Sequence, residues 1–208
     1  MDLEATHPGR RVAVLVAHPD DETLWAGGLL LRHPEWSVHI VTLCRGSDPD
    51  RAPRFRRVLT RLGAQGAMGD LDDGPGQEPL DPGLVKATLT SLLPGQVFDL
   101  LITHDPEGEY TWHRRHGEVA RAVHELWRQG QLEAGSLWRF AYEDGQGAYP
   151  PRPRKEAQAL LPLAEAEWAA KAALITEVYG FLASSWEAKS APRTEAFACS
   201  TRQPGQRP

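Results

Sequence analysis

Two short stretches concentrate side chains that can hold a metal ion and move protons. The first is His18, Asp20, Asp21 and Glu22; the second is His113 and His116, with His104 and Tyr110 nearby. His18 and Asp21 are three apart on a turn entering a helix, so both can point at one ion. His113 and His116 have the same spacing at a helix start and share a face. Neutral imidazoles and a carboxylate suit zinc, and two His plus one carboxylate leave a fourth position for water, the catalytic pattern. Zinc brings such a water to a pKa of about 7. Asp20 lies between the two first-cluster ligands, points elsewhere and is placed to act as general base. The remaining His of the second pair can donate a proton to a leaving amine. Blander readings exist: a His-x-x-His pair on a solvated helix face, and Asp20 or Asp21 as a helix cap. The joint occurrence of both clusters, each just after a strand, favours chemistry.

The elements around these clusters explain why they can meet. Residues 11–17, Arg-Val-Ala-Val-Leu-Val-Ala, form a β-branched apolar run suited to a strand buried on both faces. Further strands are predicted over 38–44, 97–103 and 137–142, with helices over 22–32, 54–62, 84–93 and 113–129. Strand alternating with helix predicts an α/β fold: a Rossmann-like, mainly parallel sheet flanked by helices, in a single domain. In such sheets the binding crevice lies beyond the carboxyl ends of the strands, where both clusters fall. Residues 64–82 read as loop with one short strand, and 157–179 as a helix interrupted near Pro162. Residues 1–10 read as a flexible arm, 11–192 as the domain and 193–208 as a weakly ordered tail.

Composition narrows the function classes. The 208 residues suit one domain with a real core, and 41% apolar with 25% charged residues argues against disorder. A net charge of −5 gives no basic footprint for nucleic acid. No apolar run approaches the ~20 residues of a membrane span, and no secretory signal is seen at the N-terminus. Cys44 and Cys199 make no disulfide framework, so a reducing cytoplasm is expected.

Residues 14–22, Val-Leu-Val-Ala-His-Pro-Asp-Asp-Glu, followed by Gly27-Gly28, resemble the signature of the PIG-L/LmbE-like zinc-dependent deacetylases. Thr103-His104-Asp105-Pro106, then Gly108-Glu109-Tyr110 and His113-Arg114-Arg115-His116, resemble the family's second motif. The resemblance covers roughly 11–125. It implies a Rossmann-like fold and removal of acetyl groups from N-acetylglucosamine-type sugars and their conjugates. Carried over position by position, His18, Asp21 and His116 resemble the zinc ligands and Asp20 the general base. His113 resembles the His that stabilises the oxyanion or protonates the amine, and Tyr110 a residue holding the substrate carbonyl. Iron or cobalt could occupy such ligands too.

The sequence departs from the family pattern in places. The family often has Pro-Asp between the two His residues, the Asp supporting the first; here Arg114 and Arg115 stand there. A cation would lower the pKa of His113, and Asp105 or Glu118 is left to orient it. Tyr110 lies three before His113, one residue further than is common. The family's Arg and, three later, Glu correspond to Arg51 and Arg54, so the carboxylate is missing. Arg51 is a substrate-contact candidate, though a solvated basic surface shared with Arg54, Arg56 and Arg57 is the favoured reading. Trp112, beside the second motif, is a stacking candidate, whereas Trp25 reads as core and Cys44 as a buried thiol. The specificity loops are expected at 45–53, 64–82 and 143–155. The reading is a zinc-dependent N-deacetylase acting on a small-molecule N-acyl amino sugar. The alternatives are a metal-dependent phosphoesterase using Mg²⁺, or a non-catalytic ligand-binding module with zinc absent or structural, His113 then closing the site as the fourth protein ligand.

Overall fold

The computed structural model describes residues 8–202. Seven strands form one sheet in the order β3-β2-β1-β4-β5-β7-β6. They are β1 (Arg11–Val16), β2 (Ser37–Cys44), β3 (Gln65–Leu71), β4 (Val97–Thr103), β5 (Glu133–Phe140), β6 (Ala159–Pro162) and β7 (Thr194–Thr201). The first five are mutually parallel; β7 runs antiparallel to both β5 and β6. The fold is therefore the expected single-domain, mainly parallel α/β sandwich.

Both faces of the central strands are covered, which is why β1 reads as an unbroken apolar run. Val12, Val14 and Val16 enter a core with Trp25, Leu29 and Phe55, under α1 (Asp21–Arg32) and α2 (Arg51–Leu62). Ala13, Leu15 and Ala17 enter a second core with Val85, Leu89 and Val123, under α3 (Pro82–Leu92) and α4 (Arg114–Arg128). Strand order reverses between β1 and β4, a topological switch point where parallel α/β sheets open a crevice. The loops after β1 and β4 carry the two motifs to that crevice.

The C-terminal part corrects two expectations. The helix predicted over 157–179 is instead β6, then α5 (Glu165–Ala173), then a π-helical turn over Leu174–Val178. The stretch predicted as a tail, 193–208, supplies β7 over Thr194–Thr201, and 203–208 lie outside the described residues. The two errors share a cause. β6 pairs only with β7, and β7 otherwise only with β5, so neither has a local signal, and tertiary pairing overrides the Ala/Leu helix propensity of 157–161. Of the arm at 1–10, residues 1–7 also lie outside the described residues. A short helix, α6 (Trp186–Ser190), is the last helix among the described residues.

Candidate functional site

The turn after β1 brings His18, Asp20 and Asp21 to the crevice, and the start of α4 brings His113 and His116. His18 Nδ1 lies 3.1 Å from His116 Nε2, Asp21 Oδ2 is 3.3 Å from His18 Nδ1, and Asp21 Oδ2 is 3.5 Å from His116 Nε2. Tetrahedral zinc with bonds of about 2.0–2.2 Å spaces its ligand atoms about 3.3–3.6 Å apart; two sides of this triangle fall in that range and the third, at 3.1 Å, lies just below it. The donor set of two imidazole nitrogens and one carboxylate oxygen suits zinc as well. The residues present therefore fit the implied metal.

Carboxylates stand behind both imidazoles, the usual support of metal-ligating His. His18 Nε2 is 3.1 Å from Asp73 Oδ1, and Asp73 is itself held by Arg45 at 2.7 Å. Glu109 Oε1 lies 2.8 Å from His116 Nδ1, close in distance but not aligned as a hydrogen bond. The same oxygen accepts from His104 Nδ1 at 2.5 Å. His104 Nε2 in turn accepts from the Ala17 N–H at 3.0 Å, which leaves that nitrogen no lone pair for a metal. Burial opposes charge on His18, but Asp21 and Asp73 outweigh it and lift its pKa to about 10. Burial likewise opposes ionisation of Glu109, and His104 and His116 outweigh it, holding its pKa at about 2.

Asp20 and Asp21 are adjacent yet behave oppositely. Asp21 Oδ2 accepts the His18 N–H at 2.8 Å, and the imidazoles of His116 and His104 overcome burial to push its pKa down. Burial and the Asp21 charge push Asp20 up. The Asp20 side chain makes no capping hydrogen bond to α1, which removes the capping alternative. Its φ of 143° lies where glycine is favoured, and a non-Gly residue held there costs about 1–3 kcal/mol, strain that concentrates at functional positions.

The cleft, of about 230 Å³, is lined by His18, Asp20, Asp21, Arg45, Arg51, Asp73, Thr111, His113, His116, Trp186 and Glu187, among others. A family model described as GlcNAc-PI de-N-acetylase, PIG-L, matches residues 13–127, which carry the motifs that build this cleft. The chain belongs to the PIG-L family. A curated relative, the uncharacterized protein L374 of Acanthamoeba polyphaga mimivirus, is 23% identical over 144 residues, 62% of this chain and 61% of that protein. The PIG-L fold is shared with the solved structure of GalB, the 4-carboxy-2-hydroxymuconate hydratase of Pseudomonas putida KT2440. That match has a TM-score of 0.61 and 16% identity, covering 95% of this chain and 99% of that one. A deacetylase of the teicoplanin biosynthesis pathway matches with a TM-score of 0.58 and 10% identity, over 82% of this chain and 84% of that one. One fold thus serves a hydratase and a deacetylase, and it does not by itself select the reaction.

Within this PIG-L chain the remaining candidates divide. Arg51 lines the cleft, with Nη1 3.5 Å from Asp20 Oδ2 and its guanidinium 4.3 Å over the Phe181 ring, so it is not part of a merely solvated basic face. Tyr110 is buried beside the cleft, but its hydroxyl donates to Tyr149 O at 2.5 Å and its ring stacks on Trp186. Trp112 is 64% exposed, with Arg114 5.7 Å over its ring, and it does not line the cleft. Trp25 is buried in the core as expected, and so is Cys44.

The carboxylates expected to orient His113 are engaged elsewhere. Asp105 faces Arg139 and Arg154, and Glu118 pairs with Arg115 at 2.6 Å. His113 falls to about 4 because of burial and the neighbouring His116 and His18 imidazoles, not because of Arg115. The Arg115 side chain turns away to hold Asp72 and Glu118. Of the expected specificity loops, 45–53 and 64–82 reach the cleft, whereas 143–155 does not line it; Trp186 and Glu187 of α6 do. Sequence reading gave no role to Asp73, Glu109 or Gln77. Glu109 had a usable signal, its place in the second motif. Asp73 had none that separates it from Asp70 and Asp72.

Proposed function

We propose that this protein is a zinc-dependent amide hydrolase that removes an acetyl group from an N-acetylated amino sugar or its conjugate. The observation that carries this reading is the convergence of His18 Nδ1, Asp21 Oδ2 and His116 Nε2 within 3.1–3.5 Å of one another beside Asp20. His18, Asp21 and His116 would hold the ion. When bound there, zinc supplies Lewis acidity, polarising the carbonyl and lowering the pKa of water.

Asp20 accepts the proton of the attacking water. Its burial makes it a stronger base than an ordinary carboxylate, and His18 and Arg51 keep that rise in check. His113 lines the cleft and stabilises the oxygen that gains charge. Asp20 then returns its proton to the amine, giving acetate and a free amino sugar. Arg51 and Trp186 supply a hydrogen-bonding arm and an aromatic wall for the sugar. Tyr110 supports the site by backing Trp186, and Trp112 is left to the outer rim.

The alternatives fit less well. Two imidazole nitrogens disfavour the Mg²⁺ of a phosphoesterase. A closed structural zinc needs a fourth protein ligand. His104 Nε2 is taken by Ala17 and His113 Nε2 by Gln77, whereas His113 Nδ1 has no partner and lies with His18 and His116 in a group able to hold an ion, so its coordination or freedom in the zinc-loaded protein separates a closed site from an open one. No helix among the described residues is long and apolar enough to cross a membrane. Both cysteines are free, in keeping with a proposed cytoplasmic location, and the net charge of −5 favours a small-molecule substrate over nucleic acid. The test is a screen of N-acylated amino sugars with zinc-loaded protein, following acetate release. Release abolished in Asp20→Asn supports the reading; metal analysis finding magnesium without zinc overturns it.

A further inference from the structure

His113 lacks the carboxylate that the family motif would place behind it, because Arg115 occupies that position. The structure puts an amide there instead. Gln77 Nε2 lies 3.0 Å from His113 Nε2 and 3.3 Å from Asp73 Oδ1. An ionised carboxylate only accepts, so the amide atom facing Asp73 is the nitrogen, with its two hydrogens. That nitrogen then donates to His113 Nε2, which must present a lone pair, and in the neutral ring the proton sits on Nδ1. A carboxylate in the same place would draw the proton to the nitrogen it faces, so the exchange of carboxylate for amide reverses the ring's polarity. His113 Nδ1 is buried and has no hydrogen-bond partner, while the ring lies 4.7 Å from those of both His18 and His116. A buried donor left unmatched is costly unless a bound species accepts from it.

We propose that Gln77 is a positioning residue that locks His113 as the Nδ1–H tautomer. His113 then serves as a neutral donor to the oxygen that gains charge during amide attack, not as the acid that protonates the amine. The catalytic half of this inference rests on the deacetylase reading; the tautomer does not. It is tested on full-length protein with ¹⁵N-labelled histidine, metal-free and zinc-loaded, by long-range proton–nitrogen correlation spectra. Spectra and kinetics are compared among the parent, Gln77→Glu and Gln77→Ala.

The expected parent spectrum shows His113 protonated at Nδ1. Gln77→Glu should move the proton to Nε2 and lower kcat about 10–100-fold, the usual cost of losing an outer-shell partner. KM should stay within about twofold, because the lost contact forms only in the transition state. Gln77→Ala, in a half-buried loop, should lose the fixed tautomer and serves if the Glu variant does not fold. A parent ring protonated at Nε2, a tautomer unmoved in both variants, or an unchanged kcat after reversal overturns the proposal. If no N-acyl amino sugar is turned over, the deacetylase reading fails, while the spectra still decide whether Gln77 sets the tautomer.

Discussion

Two groups of buried charges lie at different points along α1, one against Gly28 and Leu29 and one at its amino end, and they are built differently. Beneath the helix, Lys171 and Glu195 are both fully buried and paired at 2.8 Å. Glu195 also accepts the Gly28 and Leu29 N–H groups, each at 2.7 Å, and Lys171 donates to Pro192 O. Neither contributes an unpartnered buried atom. Gly28 permits this approach: a Cβ there would lie 2.4 Å from Leu163. At the amino end of the same helix, the cluster around His18, Asp21 and His116 opens to a cleft. It leaves His113 Nδ1 and His116 Nδ1 without hydrogen bonds, and it includes a strained Asp20. A closed charge pair is built to hold the fold, whereas an open, under-satisfied one is built to meet something from outside.

The sharpest way to break this contrast is to change one member of each group. Asp20→Asn should lower kcat by about 10²–10⁴-fold, as expected for a general base, with the melting temperature unchanged. A parallel loss of stability would show that the open cluster also holds the fold. Lys171→Met should do the reverse, costing about 3–5 kcal/mol in denaturant unfolding because it strands the Glu195 charge. Adding Glu195→Gln to Lys171→Met should recover part of that, since the amide oxygen still accepts from the helix.

A smaller effect is expected one layer behind the ligands. Glu109→Gln should weaken zinc affinity about 10–100-fold in chelator competition. A milder, pH-dependent signature comes from the same layer. Asp73 and Glu109 both have folded pKa values of about 2, below their unfolded values of roughly 4. Their contribution is fully present above the unfolded values and is lost as pH falls from about 4 toward 2. Metal-free protein should therefore lose stability over that window, and Glu109→Gln should flatten the acid limb; an unaltered limb would separate Glu109 from the folding linkage. The smallest change is expected at the rim. Trp186, 41% exposed and backed by Tyr110, should on change to Ala raise KM several-fold with kcat nearly kept, as for a uniform binding contact.

The unbroken apolar runs of β1, β2 and β4 and the positions of His18, Asp21, His113 and His116 were legible in the chain itself. Strand burial and the types of the candidate ligands follow from local composition and short spacings, and the strand burial survives into the fold. Of the residues behind the candidate ligands, Glu109 was legible only through its place in the second motif, and Asp73 and Gln77 were not legible. Glu109 reaches His116 across 7 positions of chain, Asp73 reaches His18 across 55, and Gln77 reaches His113 across 36. The C-terminal strands β6 and β7, and with them Glu195 beneath α1, were invisible for the same reason. Their backbone partners and buried charges are supplied by distant segments, and no local propensity records a contact that exists only after the sheet has assembled. Sequence alone determined which metal-binding groups are available and where the crevice opens. Tertiary structure decided which oxygen or nitrogen stands behind each imidazole, and so which proton each ring carries, because that depends on atoms brought together by packing.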